Sequence, residues 1–560
     1  MHYLFILQGL YFNFYLGFSF WTIILLLCIA LFIESTIENK KTKLIAYFVL
    51  SLLDSLLFQY FLKTEIFLDT AIVIDNIKLT SNEESRGVLY QYFSVMELLR
   101  VLIFPTLVLI SYFFDQTKRI KIKGIILVPI ILLLVVVSTP KIPLMNLISG
   151  GVKYFLFEPH YQSAEIKPPL IKLQSSKDYL SKMNIMVILM ESFNGTYVGE
   201  SFKGKEVTPN FNKLIKQHFS IDHYFSNSVQ TVKGQFALFC GRTPLLKGKA
   251  SYLLDGKKLS CLPERLKRKG YRTIFYQSMK DLEFDNTNEF FKSISFDEVL
   301  SPKELGMSDQ AYQKNSINWG LRDDVSFSLF FDHVQKSKKS FSVISTITHH
   351  FPFKIVEEFS FLINKPKNAQ ENFLNSLHLS DYFLGKIIEQ YKSSEFSKNS
   401  ILIVTADHSF PSGRNGNIFQ EKGATEDSFK APFVIIAPPE IENALRETGV
   451  NVASHLDIMP TLLDLFGTKE EYVGDGVSFF SKREYPIPLI QPYDGQWIKV
   501  IDYPQKYSWN DRRQKFLTGT VDNDQQQYRE DNLENYPQIK KIILTILGQE
   551  KFIKSNFRMD

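Results

Sequence analysis

Three cysteines in 560 residues make no zinc-finger pattern. Excess charge is scarce too. A formal net charge of +5 over this length, with no clustered Lys/Arg motif, excludes a dedicated nucleic-acid binder, so no nucleic-acid partner is expected. No internal repeat or low-complexity tract is visible. No basic n-region precedes the first apolar run and further runs follow, which argues against a cleaved signal peptide. The length exceeds one ordinary core, so two or more domains are expected.

Apolar and aromatic residues are abundant: 45% of the chain is apolar, with 49 phenylalanines and 26 tyrosines. They concentrate in the first 140 residues. Four segments, Phe18–Ile33, Leu44–Leu62, Leu98–Phe114 and Gly124–Val137, approach the length of a bilayer crossing. They predict an N-terminal α-helical transmembrane bundle of about four helices over residues 1–140. Residues 3–17 are apolar as well, so the first helix either begins there or follows a re-entrant piece. The connections 38–43 and 118–123 are basic, whereas the loop from about 64 to 95 carries Asp69, Asp75, Glu83 and Glu84. The positive-inside rule then places the basic loops in the cytoplasm and everything after about residue 140 outside. Asp54 lies mid-span, where it either marks a lipid or ion path or simply pairs. Residues 141–182 read as an amphipathic juxtamembrane linker on the outer surface.

From residue 183 to about 490, strands alternate with helical patterns, an α/β domain. Ile185–Met190 is a continuous apolar run that ends in Glu191-Ser192, and Ser400–Ala406 ends likewise in Asp407-His408. Such runs fit strands buried on both faces of a parallel sheet. Ligands collect at the carboxyl ends of these strands, so the two ends suggest one shared site. Further strands are expected at 271–276, 341–346 and 432–437, and helices at 262–269 and from Thr208-Pro209. Residues 491–560 predict a small C-terminal antiparallel subdomain, with strands near 497–501 and 514–518 and a last helix at 537–547.

Glu191, Asp407 and His408 offer hard oxygen and borderline nitrogen donors, a set suited to Mn²⁺, Mg²⁺ or Zn²⁺. An Asp-His pair after a strand equally fits a cap and a packed histidine. Thr231 precedes a helix-like run, and a helix N-terminus there would hold an anion. Metal-bound, its hydroxyl would be acidified into a nucleophile; otherwise it is an ordinary structural threonine.

These motifs stand in a telling order. Glu191-Ser192, Thr208-Pro-Asn-Phe-Asn-Lys-Leu214, the Thr231 loop, His350-Phe-Pro-Phe353 and Ala406-Asp-His408 come first. Ser454-His-Leu-Asp-Ile-Met-Pro-Thr-Leu-Leu463 and Gly474-Asp-Gly-Val-Ser478 follow. In this the chain resembles the sulfatase-like branch of the alkaline phosphatase superfamily over roughly residues 180–490. Within it the chain is most similar to lipoteichoic acid synthases and phosphoglycerol transferases, which also carry an N-terminal membrane bundle. The resemblance implies an alkaline-phosphatase-like fold and a divalent-metal cofactor, Mn²⁺ favoured over Mg²⁺ or Zn²⁺. It implies Glu191, Thr231, Asp407 and His408 as metal ligands, Thr231 as nucleophile and His350 as a substrate-contacting histidine. The implied reaction moves a phosphorylated head group, phosphoglycerol or phosphoethanolamine, from a membrane phospholipid donor to a cell-envelope glycan or lipid acceptor through a phosphothreonine. An extracytoplasmic metal-dependent phosphodiesterase is the alternative.

The chain also departs from that pattern. Where lipoteichoic acid synthases carry Phe-Trp-x-Arg, this sequence has the stretch Phe284–Phe291, without either the tryptophan or the arginine. The threonine loop reads Thr-Val-Lys-Gly-Gln-Phe, so Lys233 is either a further phosphate contact or a solvated lysine. Arg322 and Arg414 are candidate anion contacts or ordinary salt-bridge partners, and His455 supports a second metal or packs. A true sulfatase needs a C/S-x-P-x-R context, and Cys240-Gly-Arg-Thr-Pro244 has those residue types in the wrong order. Cys240 and Cys261 are the two cysteines outside the membrane segments. In an oxidising compartment they form a disulfide, two free buried thiols being the alternative.

Overall fold

In a computed structural model of the chain, the residues described are 1–15, 20–64, 95–114, 170–172, 177–317, 319–353, 355, 357–410, 425–467, 471–492, 496–511, 513–521 and 528–557, with a few single positions and pairs between 68 and 151. The chain divides into two compact units, Met1–Pro159 and His160–Asp560.

In the first unit the apolar runs form helices α1 (His2–Tyr15), α2 (Phe20–Thr36), α3 (Lys40–Thr64) and α4 (Val95–Phe114). The early apolar residues thus make a helix of their own. Among the described residues one helix, over Lys40–Leu62, is long and apolar enough to cross a membrane, and Ile23–Thr36 is a shorter apolar helix. The fourth expected span, Gly124–Val137, lies outside the described residues except for Ile131. Large apolar side chains such as Phe14, Ile45, Leu99 and Phe113 face outward, whereas Gln8, Ser51, Asp54 and Ser55 are buried. Gln8 Nε2 donates to the Ser51 carbonyl and to Ser55 Oγ, each at 3.0 Å, and Asp54 Oδ1 accepts from the Leu144 N–H at 2.9 Å. Apolar outside with paired polar groups inside is the arrangement a lipid solvent favours.

The second unit is built on a seven-stranded sheet. Its strands are β1 (Asn184–Met190), β2 (Phe219–Ser220), β3 (Arg272–Gln277), β4 (Glu298–Leu300), β5 (Ser340–Ser345), β6 (Ser400–Ala406) and β7 (Phe433–Ile436). They lie in the order β2-β7-β6-β1-β5-β3-β4. The five strands from β6 to β4 run parallel, and β7 and β2 close one edge antiparallel. Every residue of β1, β5 and β6 is buried whichever face it points to, so both faces are covered. The helices around the sheet pack in two groups, each held together by one member that touches the other two. One comprises α5 (Pro209–Gln217), Asp323–Val334 and Ala369–Lys392. The other comprises α6 (Thr231–Cys240), α7 (Leu262–Arg268) and α8 (Ile458–Leu465). Residues 170–172, expected in the linker, instead pair antiparallel with 471–473.

A five-stranded antiparallel meander follows: β8 (Ile487–Gln491), β9 (Trp497–Asp502), β10 (Gln505–Asn510), β11 (Lys515–Thr520) and β12 (Arg529–Asp531). It begins a few residues ahead of the expected start at 491. Alternate side chains serve its two faces. Ile490, Ile498 and Val500 pack on Ile539 and Ile543 of the last helix, α9 (Pro537–Phe557). Ile487, Leu489 and Ile501 pack on Phe225, Val229 and Phe429 of the main domain. The final helix runs ten residues beyond the expected Leu547.

Cys240, the last residue of α6, and Cys261, just before α7, form a disulfide across a sequence separation of 21. Replacing both by serine is expected to destabilise the domain by about 3 kcal/mol, chiefly by freeing a loop of that length in the unfolded chain. The urea midpoint of the purified protein measures this, and no shift would show that the bridge constrains nothing.

Candidate active site

The register of the central strands places the chemistry. Met190 of β1 pairs with Ala406 of β6, so the next residues, Glu191 and Asp407, emerge side by side. Ser345 of β5 pairs with both Leu189 of β1 and Gln277 of β3, which brings four strand ends flush along one edge. This carboxyl edge is where parallel sheets collect ligands.

Glu191, Asp407 and His408 are all buried, with one donor atom from each lying within 4.8 Å of the others. His408 Nδ1 lies 2.9 Å from the Ser409 carbonyl, an interaction in which Nδ1–H donates. This leaves Nε2 facing Glu191 Oε1 at 3.5 Å and Asp407 Oδ2 at 3.9 Å. Asp407 Oδ1 accepts from the backbone N–H groups of Ser192 (3.0 Å) and His408 (2.7 Å). Its Oδ2 is buried without a hydrogen-bond partner among the described residues. Ser192 stands at φ 52° and donates from Oγ to Glu191 Oε1 at 2.6 Å.

Burial alone would raise the Glu191 carboxyl, but the charge of His350 and the charge and hydrogen bond of His408 hold it low. Asp407 moves the other way, pushed up by burial and then by the Glu191 charge. His408 is driven up by the two carboxylates although burial opposes this. Two buried carboxylates and one imidazole thus compete for protons at a place that favours a cation.

Thr231 is the first residue of α6, whose amino end points positive charge toward this edge. The helix comes close because position 234 is glycine: a Cβ there would sit 1.9 Å from the Asp407 carbonyl oxygen. The loop before Thr231 is tied down from far away in sequence. Asn227 Nδ2 donates to the Pro488 carbonyl at 2.8 Å, its carbonyl accepts from Ile490 N–H at 2.9 Å, and Ser228 Oγ donates to the Ile490 carbonyl at 3.0 Å. The first strand of the C-terminal sheet therefore positions the threonine loop.

Glu191, Thr231 and His350 line one open cleft, together with Gln235, Gln277 and Asp285. His350 Nδ1 lies 2.7 Å from the Phe351 carbonyl, and its ring packs 4.8 Å from that of Trp319. Trp319 donates from Nε1 to the same carbonyl at 2.9 Å.

Of the candidates from the sequence, Glu191, Thr231, His350, Asp407 and His408 meet at this edge; Lys233 and Arg322 do not. Lys233 is buried and its Nζ donates to the Leu246 carbonyl at 3.3 Å. Arg322 pairs with Asp324 at 2.9 Å and lies over the rings of Phe359 and Phe383. Neither lines the cleft. Arg414 lies outside the described residues. His455 is fully buried, against the ring of Tyr224 and behind Gly234. Sequence reasoning missed Ser192, Asn227, Trp319 and Asp285. Only the adjacency of Ser192 to Glu191 carried a local signal.

A family model described as Sulfatase matches residues 183–468. The lipoteichoic acid synthases of Staphylococcus aureus strains bovine RF122 / ET3-1 and USA300 are each 28% identical to the chain over 316 residues, 54% of this chain and 48% of theirs. The chain thus spans about half the length of the curated relatives it matches. Among solved structures, the lipoteichoic acid synthase LtaP from Listeria monocytogenes has 17% identity and a TM-score of 0.56, over 69% of this chain and 96% of that one. The integral membrane protein lipooligosaccharide phosphoethanolamine transferase A (EptA) from Neisseria meningitidis has 13% identity and a TM-score of 0.56, over 83% and 93%. At these identities the likeness speaks for the fold.

Proposed function

The chain belongs to the sulfatase family, and from that premise we propose that it moves a phosphorylated head group, phosphoglycerol or phosphoethanolamine, from a membrane phospholipid to a cell-envelope glycan or lipid acceptor. The observation that carries this reading is Thr231 at a helix N-terminus, sharing one cleft with Glu191 and His350 beside the Asp407-His408 strand end.

The donor set fits a divalent metal. Asp407 Oδ2 is buried and has no hydrogen-bond partner among the described residues, His408 presents Nε2 with Nδ1 held by a carbonyl, and two buried carboxylates call for a cation. Glu191, Asp407, His408 and Thr231 would hold it, Mn²⁺ ahead of Mg²⁺ or Zn²⁺. Once bound, the ion would neutralise phosphate charge and acidify the threonine hydroxyl.

Thr231 Oγ1, its proton lost to solvent, attacks the phosphorus, and the P–O bond to diacylglycerol breaks. His350 Nε2 gives a proton to the departing oxygen, held for the task by the Phe351 carbonyl and Trp319. The N–H groups at the start of α6 face the phosphate oxygens. In the second half an acceptor hydroxyl returns a proton to His350 as its oxygen bonds phosphorus and the bond to Thr231 breaks. The N-terminal helices anchor the chain as a multi-pass protein of the cell (inner) membrane, and the catalytic domain lies outside, where the disulfide suits an oxidising compartment.

The test is intact-mass spectrometry after incubation of the purified protein with mixed phospholipids and Mn²⁺. A wild-type adduct on Thr231 is expected, and its mass names the head group. A wild type that carries no adduct and releases no diacylglycerol with Mn²⁺, Mg²⁺ or Zn²⁺ overturns the reading. Ser192→Gly keeps a backbone suited to φ 52° but removes the hydroxyl that orients Glu191. It is expected to weaken Mn²⁺ binding about 10–100-fold by calorimetry, whereas unchanged affinity would make that hydroxyl incidental.

A further inference from the structure

One buried ion pair in the wall of the cleft has no part in the reaction above. Asp285 lines the same cleft as Glu191, Thr231 and His350 and is only 7% exposed. Its Oδ1 pairs with Lys249 Nζ at 2.6 Å. Lys249 is buried too, but it does not line the cleft, so it neutralises the carboxylate from behind. The turn that presents Asp285 is unusual. Asp285 and Asn286 are successive left-handed residues at φ 53° and 56°, a conformation that non-glycine residues adopt at a cost. Asn286 Nδ2 holds the turn by donating to the Ser251 carbonyl at 2.6 Å.

Charge decides what such a wall accepts. Among the described residues no lysine or arginine lines the cleft, and the neighbours of Asp285 there include the neutral polar residues Gln277, Ser278 and Thr287. The Lys249–Asp285 pair is net neutral, yet Asp285 lines the cleft and a carboxylate keeps acceptor lone pairs that one ion pair does not use. A hydroxyl can donate to it without bringing charge. An ammonium would instead place a second cation close to buried Lys249, with one carboxylate to satisfy both.

We propose that Asp285, backed by Lys249, is a specificity-determining residue that accepts a hydrogen bond from an uncharged polyol head group and discriminates against an ammonium head group. The proposal rests on the head-group-transfer reading and deepens it.

The experiment gives the full-length protein in mixed micelles equal amounts of phosphatidylglycerol and phosphatidylethanolamine with different acyl chains, with Mn²⁺ present. The diacylglycerol released then reports which donor was used. Wild type is expected to favour phosphatidylglycerol by about tenfold or more, the scale of one mismatched buried polar contact. Lys249→Met leaves the carboxylate uncompensated and should move the ratio toward phosphatidylethanolamine by about tenfold. The double variant Lys249→Met/Asp285→Asn removes both charges together, so it carries the test if the single variant does not fold. Its ratio should fall to within about threefold of one. A wild type that favours phosphatidylethanolamine, or a folded double variant with the wild-type ratio, overturns the proposal and leaves head-group transfer standing. A wild type that releases diacylglycerol from neither lipid overturns the transfer reading, and this proposal with it.

Discussion

Thr231→Ala is expected to lower diacylglycerol release from a phospholipid donor by about 10⁴-fold, the scale on which removal of a covalent nucleophile acts. Its melting temperature should stay within about a degree of wild type, because surface-type changes away from caps and cores are nearly neutral. Thr231 is half-buried at the first helical position of α6, one residue after the N-cap Gln230, so it is not the capping residue. A large kinetic effect without a stability effect is the signature of a group that acts on substrate. Thr231→Ser, which keeps the hydroxyl, is expected to keep the covalent adduct. If the alanine variant retained a tenth of wild-type turnover, the nucleophile would have to be sought elsewhere.

Gly234→Ala should do the opposite and damage both stability and turnover. The added methyl would meet the Asp407 carbonyl oxygen at 1.9 Å and its carbon at 2.9 Å. These are backbone atoms at the end of a central strand, so no side chain can swing aside. Either α6 lifts off the strand end or the Asp407-His408 turn shifts. Overpacking of this kind costs about 1–3 kcal/mol, and a displacement of about 1 Å between reacting groups costs roughly 10²-fold in rate. A lowered melting temperature, weakened Mn²⁺ binding and slowed diacylglycerol release are therefore expected together. Wild-type behaviour in all three would mean that the close approach of helix and strand does not set the geometry of the site.

The contrast between these variants follows the line between local and non-local information. Ile185–Met190 and Ser400–Ala406 were legible as buried strands, because a strand covered on both faces must be apolar along its whole length. The strands at 272–277 and 340–345 lie within one residue of their expected runs, and Thr208-Pro209 marks the start of α5. The last helix outran its expected end because residues 548–557 contain no breaker beyond Gly548.

The candidate site was legible only as strand ends that carry donors. That Asp407 stands beside Glu191 depends on the pairing of Met190 with Ala406, a register that no local pattern specifies. Lys233 shows the limit most plainly. It follows Thr231 by two residues, roughly 200° around a helix, so a threonine turned toward the cleft turns the lysine into the core. Arg322 likewise looked available for an anion until Asp324 and two phenylalanine rings were seen to hold it. The anchoring of Asn227 by Pro488 and Ile490, some 260 residues on, and the presentation of Asp285 by two left-handed residues lay beyond sequence patterns altogether. By itself the sequence determined which segments are buried strands or apolar helices and which donors stand at their ends, because burial and periodicity are written locally. Register, helix phase and the loops tied across the fold were decided only in the tertiary structure, because they depend on residues that meet through packing and not through the chain.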